Sequence, residues 1–291
     1  MIPPNFEYYA PSSLNEAIGL LDQHQGEAKI LAGGMSLIAM MKLRLVEPGA
    51  LIDINRIPGL SYLKEDAQFL HIGATTRTND LGDSDVVRMR YPILSDAGRE
   101  IADPTVRNMG TVGGNVCHGD PGNDLPACLL ALDAQLVAQG PKGPRTLAAR
   151  EFYQDTFVTA LAPNEILTEV KIPRPGTGAG SAYSKMERKV GDFATAAVAV
   201  ALTLGKSGGI DAVGIGLTNV GPTAIYARAA SEFLKGKAGA DAEIAKAAEL
   251  AAEAASPVAD NRGPVEFKKD MVRVWSRRTL RRAIDRAKGV H

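Results

Sequence analysis

Residues 32–44 read Ala-Gly-Gly-Met-Ser-Leu-Ile-Ala-Met-Met-Lys-Leu-Arg. Gly33 and Gly34 reach positive φ at little cost and let a ligand approach the backbone closely. Ser36 suits a helix N-cap, and Leu37, Met40 and Met41 continue at helical spacing. The residues just before the glycines, 29–31, suit a short buried strand. Strand, glycine turn and helix start together aim free backbone N–H groups at one gap. The positive end of the helix dipole faces the same gap, which is chemistry for holding a phosphate. Lys42 and Arg44 add positive charge nearby. Taken alone, the stretch is equally an ordinary strand-to-helix turn.

A second stretch, Gly110-Thr111-Val112-Gly113-Gly114-Asn115, again offers glycines, a hydroxyl and an amide. The turn cluster Asp120-Pro121-Gly122-Asn123-Asp124 follows it. Two glycine turns in one domain can clasp the two phosphates of a dinucleotide from opposite sides. Neither has the spacing G-x-G-x-x-G or G-x-x-x-x-G-K-[ST], so the two commonest nucleotide folds are disfavoured.

Other chemistry is sparse. His24, His71, His118 and His291 are scattered and have no metal-ligand spacing. His118 and Cys117 follow the second glycine stretch, where the thiol reads as a packed small residue or a reactive group. Asp124 reads as a helix N-cap, Lys185 as a strand lysine and Phe193 as a core aromatic. Arg277, Arg278, Arg281 and Arg282 repeat at helical spacing and read as a solvated basic face, with subunit docking as the rival.

The elements that position these residues can be read in order. Residues 6–10 form a strand. Ser13 and Glu16 make a capping box ahead of the stripe Leu14, Ala17, Ile18 and Leu21, which Gly26 ends. Residues 51–54 form a further strand and 69–72 another. Helices begin at Thr78 and Pro92, and Asp103-Pro104 stops the second. Residues 124–132 form a helix, and 136–138 and 167–172 form strands around the turn 141–144. The Pro- and Gly-rich residues 173–180 form a linker. Beyond it, strands 183–190, 195–204 and 210–217 are expected, the last two joined by a hairpin at 206–209. Residues 195–204 are alanine-rich, but their length and the hairpin favour a strand. Residues 229–234, 241–254 and 269–288 are helical.

The chain of 291 residues, 45% hydrophobic, can bury the cores of two domains. Lys plus Arg and Asp plus Glu balance at 33 each, which disfavours nucleic acid or an anionic membrane as the main partner. The N-terminal residues Met1-Ile2-Pro3-Pro4 show no signal peptide, and the longest apolar run, 194–204, is too short to span a bilayer. Two cysteines cannot supply the four thiolates of an iron–sulfur cluster. A reducing cytoplasm fits these features.

The motif Ala32-Gly33-Gly34-Met35-Ser36-Leu37 with Lys42, followed by Thr111-Val112-Gly113-Gly114-Asn115 and residues 120–124, resembles the FAD-binding medium subunit of the molybdenum hydroxylases. This is the xanthine dehydrogenase and aerobic carbon monoxide dehydrogenase family. The likeness runs from Phe6 to the C-terminal helix. One position departs: Met35 stands where carbon monoxide dehydrogenase members usually carry His. FAD uses the backbone there, so the departure bears on the substrate and not on the cofactor.

The resemblance implies an α+β fold. A two-subdomain FAD-binding domain would cover 1–175, with a small α/β subdomain at about 1–58 and a mostly antiparallel sheet at 59–175. A C-terminal domain at 178–291 would hold a three-stranded antiparallel sheet and a helix bundle. It further implies non-covalent FAD contacts from Leu31, Ala32, Gly33, Gly34, Met35, Ser36, Leu37 and Ile38, from Thr111, Val112, Gly113, Gly114 and Asn115, and from Ile101, Asp124 and Leu167. Lys185 would lie near the flavin, and Phe193 against its isoalloxazine ring, where relatives often carry Tyr. Implied partners are a large molybdenum-cofactor subunit and a small subunit with two [2Fe-2S] clusters, assembled as a dimer of heterotrimers. Electrons from a substrate oxidised on the large subunit would reach FAD here and pass to an external acceptor. The substrate stays open among CO, a purine-like or other N-heterocycle and an aldehyde. The rival functions are a stand-alone FAD-dependent oxidase or reductase and an assembly module whose flavin site has decayed.

Overall fold

In the computed structural model, which describes residues 2–290, Ser13 accepts from the Glu16 N–H at 3.3 Å and caps the helix Leu14–His24. The reciprocal bond differs from the expected box, because the Glu16 carboxylate accepts from the Ser12 N–H, at 2.8 Å. Ala17, Ile18 and Leu21 of this helix pack on a three-stranded parallel sheet with Glu7–Tyr9 and Ala28–Leu31 flanking Ala50–Asp53. Met1 of the N-terminal stretch and His291 among the histidines lie outside the described residues.

A second sheet has five antiparallel strands in the order Leu63–Glu65, Phe69–Gly73, Ile166–Pro173, Gln135–Gly140, Gly143–Ala148. Pro104 does not merely stop a helix. Asp103 caps a new one, Pro104–Met109, by accepting the Val106 N–H at 2.9 Å, and proline occupies its first turn.

The C-terminal sheet pairs Ala179–Met186, Ala196–Leu204 and Ile210–Thr218 antiparallel, and the alanine-rich segment is a strand. A short fourth strand, Ile225–Tyr226, extends the expected three. The first strand begins at Ala179, ahead of the expected start at Tyr183, which leaves only 174–178 between sheets. Helices Arg228–Leu234 and Val265–Ala287 cover one face of this sheet, and Asp241–Ala254 packs on both of them.

The helix Asp124–Ala131 is buried along its whole length between the five-stranded and C-terminal sheets. That explains why its sequence is apolar after Asp124, with no solvent face to mark with charge. Asp96 of helix Pro92–Glu100 joins the same two regions. It accepts from Arg282 Nη2 at 2.6 Å, Arg286 Nη1 at 2.7 Å and the Tyr183 N–H at 3.2 Å. The basic helix face is exposed, as expected, and three of its arginines make surface ion pairs. Arg277 pairs with Glu249, Arg281 with Asp241, and Arg282 with Asp96. Among the described residues no helix is long and apolar enough to cross a membrane.

Candidate flavin site

At the first glycine motif, Gly34 has φ +72°, the conformation for which glycine is suited. Leu31 and Ile38 pack over it, each with a carbon 3.2 Å from where a Cβ would stand. Ser36 does not cap the following helix Leu37–Lys42 through its side chain; its backbone is already αR. Among the described residues, the N–H groups of Gly33, Gly34, Met35, Ser36 and Leu37 meet no acceptor from the chain. Five consecutive free donors at a helix start make an anion cradle.

The second motif differs from its reading as a free glycine turn. Thr111 caps a helix, Val112–His118, by accepting the Gly114 N–H at 3.1 Å. The Val112 N–H donates to the Thr76 carbonyl and the Gly113 N–H to the Ala74 carbonyl, at 2.9 and 2.8 Å. These donors are already engaged, so this stretch is no second copy of the cradle. Gly113 is small because Ala74 is close: a Cβ on Gly113 would stand 2.7 Å from the Ala74 Cβ. The two motifs nevertheless meet, through Gly33 against Met109 and Gly110.

Two residues fasten that meeting, and the sequence pattern did not single them out. Asn55 Nδ2 donates to the Ala32 carbonyl at 2.8 Å. Arg77 Nη1 donates to the Met109 carbonyl at 2.6 Å, and its Nη2 donates to Asn55 Oδ1 at 3.2 Å. Each reaches over 20 residues or more, and no local spacing marks such partners.

Helix Val112–His118 carries the site about 10 Å onward, at 1.5 Å per residue. Near its far end Asn123 Nδ2 donates to the Asn115 carbonyl at 2.8 Å, while the buried Asn115 Oδ1 has no partner among the described residues. The Asn219 N–H donates to the Pro121 carbonyl at 2.8 Å and pins this turn to the C-terminal sheet. Asp124 is not the N-cap. Asn123 holds that position, without a side-chain capping bond, and the Asp124 carboxylate turns inward.

There Asp124 accepts from the Tyr183 hydroxyl and from Lys185 Nζ at 3.4 Å. Burial lifts its carboxyl to about 6, against the opposing pull of the Lys185 ammonium. Lys185 is a buried lysine rather than a solvated one. Its Nζ also donates to the Glu100 carbonyl at 2.9 Å and lies 3.4 Å from Glu187 Oε2. Burial and the neighbouring Glu187 raise the Glu100 carboxyl as well. Tyr183 and Lys185 share one strand face at i, i+2, which is the sequence signal that could have found Tyr183.

Phe193 is 49% exposed and so is no core aromatic. Its ring stands over Gly122, with Cδ1 2.9 Å from a Cβ position there. Ile101 and Leu167 belong to the large core, and Ile101 follows the Glu100 carbonyl that binds Lys185. The structure thus gathers 31–38 with Gly110 at one end of a short helix, and Asn115, Asp124, Lys185 and Phe193 toward the other.

Neither neighbouring nucleophile is activated. The enclosed Cys117 thiol is pushed up to about 12 by burial. Burial also lowers His118, which the Asp120 carboxylate 3.9 Å away only partly opposes, and its ring packs on Phe157. The free donors at 33–37, the unpartnered Asn115 Oδ1 and the open face of Phe193 fit a ligand with phosphates at one end and a flat ring at the other.

Comparison with known proteins covers nearly the whole chain. Residues 4–175 match the family described as FAD binding domain in molybdopterin dehydrogenase, and 181–283 match the CO dehydrogenase flavoprotein C-terminal domain. The carbon monoxide dehydrogenase medium chain of Hydrogenophaga pseudoflava is 45% identical over 97% of this chain and 98% of its own length. The 6-hydroxypseudooxynicotine dehydrogenase complex subunit alpha of Paenarthrobacter nicotinovorans is 36% identical over 99% and 97%. A solved carbon monoxide dehydrogenase from Hydrogenophaga pseudoflava, lacking the Mo-pyranopterin moiety of the molybdenum cofactor, superposes with a TM-score of 0.96 at 46% identity, covering 98% of this chain and 99% of that one. With residues 4–175 and 181–283 matched by these two families and the relatives aligned over nearly their whole length, this chain belongs to the FAD-binding medium subunits of the molybdenum hydroxylases, the flavoprotein components of oxidoreductases.

Proposed function

We propose that this chain carries electrons within a heteromeric hydroxylase. A large molybdenum-cofactor subunit oxidises the substrate, and a small subunit with two [2Fe-2S] clusters delivers the electrons here. An external acceptor takes them on. The observation that carries the reading is the cradle of free N–H groups at 33–37, fastened to Gly110. Its donors would hold the pyrophosphate, and the Asn115, Asp124, Lys185 and Phe193 region would hold the ring end. FAD, when bound, supplies the exchange between two-electron and one-electron transfer.

This chain's own residues bind and orient the cofactor. The backbone donors neutralise phosphate charge without a competing cation. The Lys185 ammonium, held by Asp124 and Glu187, brings positive charge to the ring end. The metal chemistry is assigned to other polypeptides because Cys117 and Cys128 cannot ligate two clusters. The substrate stays open. Met35 departs from the His that the resemblance leads one to expect in carbon monoxide dehydrogenase members, and the relatives include both a carbon monoxide and a hydroxypseudooxynicotine dehydrogenase. A division at 1–175 and 178–291, a dimer of heterotrimers and a cytoplasmic location complete the proposal.

Copurification of the tagged chain with native mass spectrometry and metal analysis tests it. The expected result is FAD on this chain, with molybdenum and iron on two others. A flavoprotein that purifies alone and turns over substrate by itself would establish the stand-alone oxidase instead. A colourless chain would establish an assembly module.

A further inference from the structure

Phe193 sits on the connection 187–195 between two strands of the C-terminal sheet, flanked by Val190 at 94% exposure. Such a segment has little packing of its own to hold a ring at one angle. Asn219 Nδ2 donates to the Ala194 carbonyl and fixes the segment after the ring, and Asp192 fixes it before the ring. The Asp192 carboxylate accepts three donors: the Phe193 N–H at 2.8 Å, Arg188 Nε at 2.9 Å and Arg262 Nη2 at 2.8 Å. Arg188 is about half exposed, and an exposed pair of this kind contributes little. Arg262 is largely covered, and its guanidinium carbon lies 6.0 Å from the Phe193 ring centroid.

Arg262 is itself anchored from the C-terminal helix. The buried Lys268 Nζ donates to Asp260 Oδ2 at 2.8 Å and to the Val258 carbonyl at 2.9 Å. Asp260 Oδ1 then accepts the Arg262 N–H at 2.8 Å. An unbroken chain of charge-assisted bonds therefore runs from Lys268 through Asp260, Arg262 and Asp192 to the backbone of Phe193. Opposite it, the ring rests on Gly122. The Arg262 Nε is buried and without an acceptor among the described residues, so the guanidinium is not spread over other partners there.

We propose that Arg262 is the positioning residue for Phe193, setting the angle of its ring toward the flavin through Asp192. This rests on the reading of Phe193 as a ring-facing residue. Ring pairs gain from a specific offset or edge geometry, so a tilted Phe193 loses contact without leaving the site.

The test uses the FAD-loaded full chain with the variants Arg262→Gln and Phe193→Ala, singly and together. FAD affinity and the visible circular dichroism of the bound flavin are measured. Arg262→Gln should weaken FAD roughly two- to tenfold and alter the flavin dichroism, as expected for loss of one aromatic contact. In the Phe193→Ala background Arg262→Gln should change neither further. A role confined to holding the fold would lower the melting temperature and leave the flavin signature alone. Equal effects in both backgrounds would overturn the proposal, and so would no effect of Arg262→Gln beside a clear effect of Phe193→Ala. If Phe193→Ala itself changes nothing, the ring-facing reading fails and the proposal with it. Should Arg262→Gln not fold, Asp192→Asn decides by the same criteria.

Discussion

Gly33 lies against Gly110: a Cβ on Gly33 would stand 2.5 Å from the Met109 carbonyl oxygen and 2.7 Å from the Gly110 Cα. Both obstacles are backbone, so no side chain can swing away. The contact closes the first motif onto the second and keeps the free N–H groups in one place.

Gly33→Val should therefore force the motifs apart and yield protein with little or no bound FAD. Gly176→Ala, where nothing lies within 4 Å, should keep full occupancy. The ratio of flavin to protein absorbance reads the outcome. Full occupancy in Gly33→Val would remove the cradle from the FAD site.

Gly113→Val should act before any ligand binds. Its branched side chain meets Ala74 at a point where the Gly113 N–H also bonds the Ala74 carbonyl. Overpacking of this kind costs about 1–3 kcal/mol. A urea midpoint lowered in flavin-free protein supports this account. A defect seen only when FAD is added would return Gly113 to a direct ligand contact.

Asp124 and Lys185 make a paired buried charge, and removing one partner strands the other. Lys185→Met should cost about 3–5 kcal/mol of stability, and Asp124→Asn in that background should recover part of it. The pH dependence has an unusual sign. Between 3.8 and about 6 the folded carboxyl keeps a proton that the unfolded chain has released. That contribution to stability falls as pH rises through the window. The difference between wild type and Asp124→Asn should show this slope in denaturation across that range. A flat difference would place the Asp124 titration elsewhere.

His71 has a different dependence. Burial alone would lower it, but hydrogen bonds to Asp66 and Glu169 outweigh that and raise it above 6.5. Its stabilisation is complete below 6.5 and is lost as pH rises through the folded value. Melting temperatures of wild type and His71→Gln should differ most in mildly acidic buffer and converge in mildly alkaline buffer. Curves that stay parallel would show that His71 does not titrate as described.

FAD should be held without a covalent bond. The Cys117 thiol beside the second glycine motif is pushed up to about 12 by burial, and the half-buried His118 ring packs on Phe157. Acid precipitation should release all yellow colour into solution. Colour kept in the pellet would identify a covalent flavin.

By itself the sequence determined whatever depends on neighbours in the chain. The strand and helix runs, the Gly34 turn and the hairpin at 206–209 follow from spacing and backbone freedom, and the family motifs sit on those same local features. The tertiary structure decided which groups are free and which are engaged. Gly113 carries the same residue type as Gly33, yet its N–H is taken by Ala74, 39 residues earlier by subtraction of their numbers. Asp124 looks like a cap until Tyr183, 59 residues away, and Lys185, 61 away, enclose its carboxylate. Arg282 stays exposed, but only the fold brings Asp96, 186 residues away, to accept from its guanidinium. Hydrogen-bond partners and desolvation are set by distances in space, and a charge or donor shows its role only when the groups around it are known.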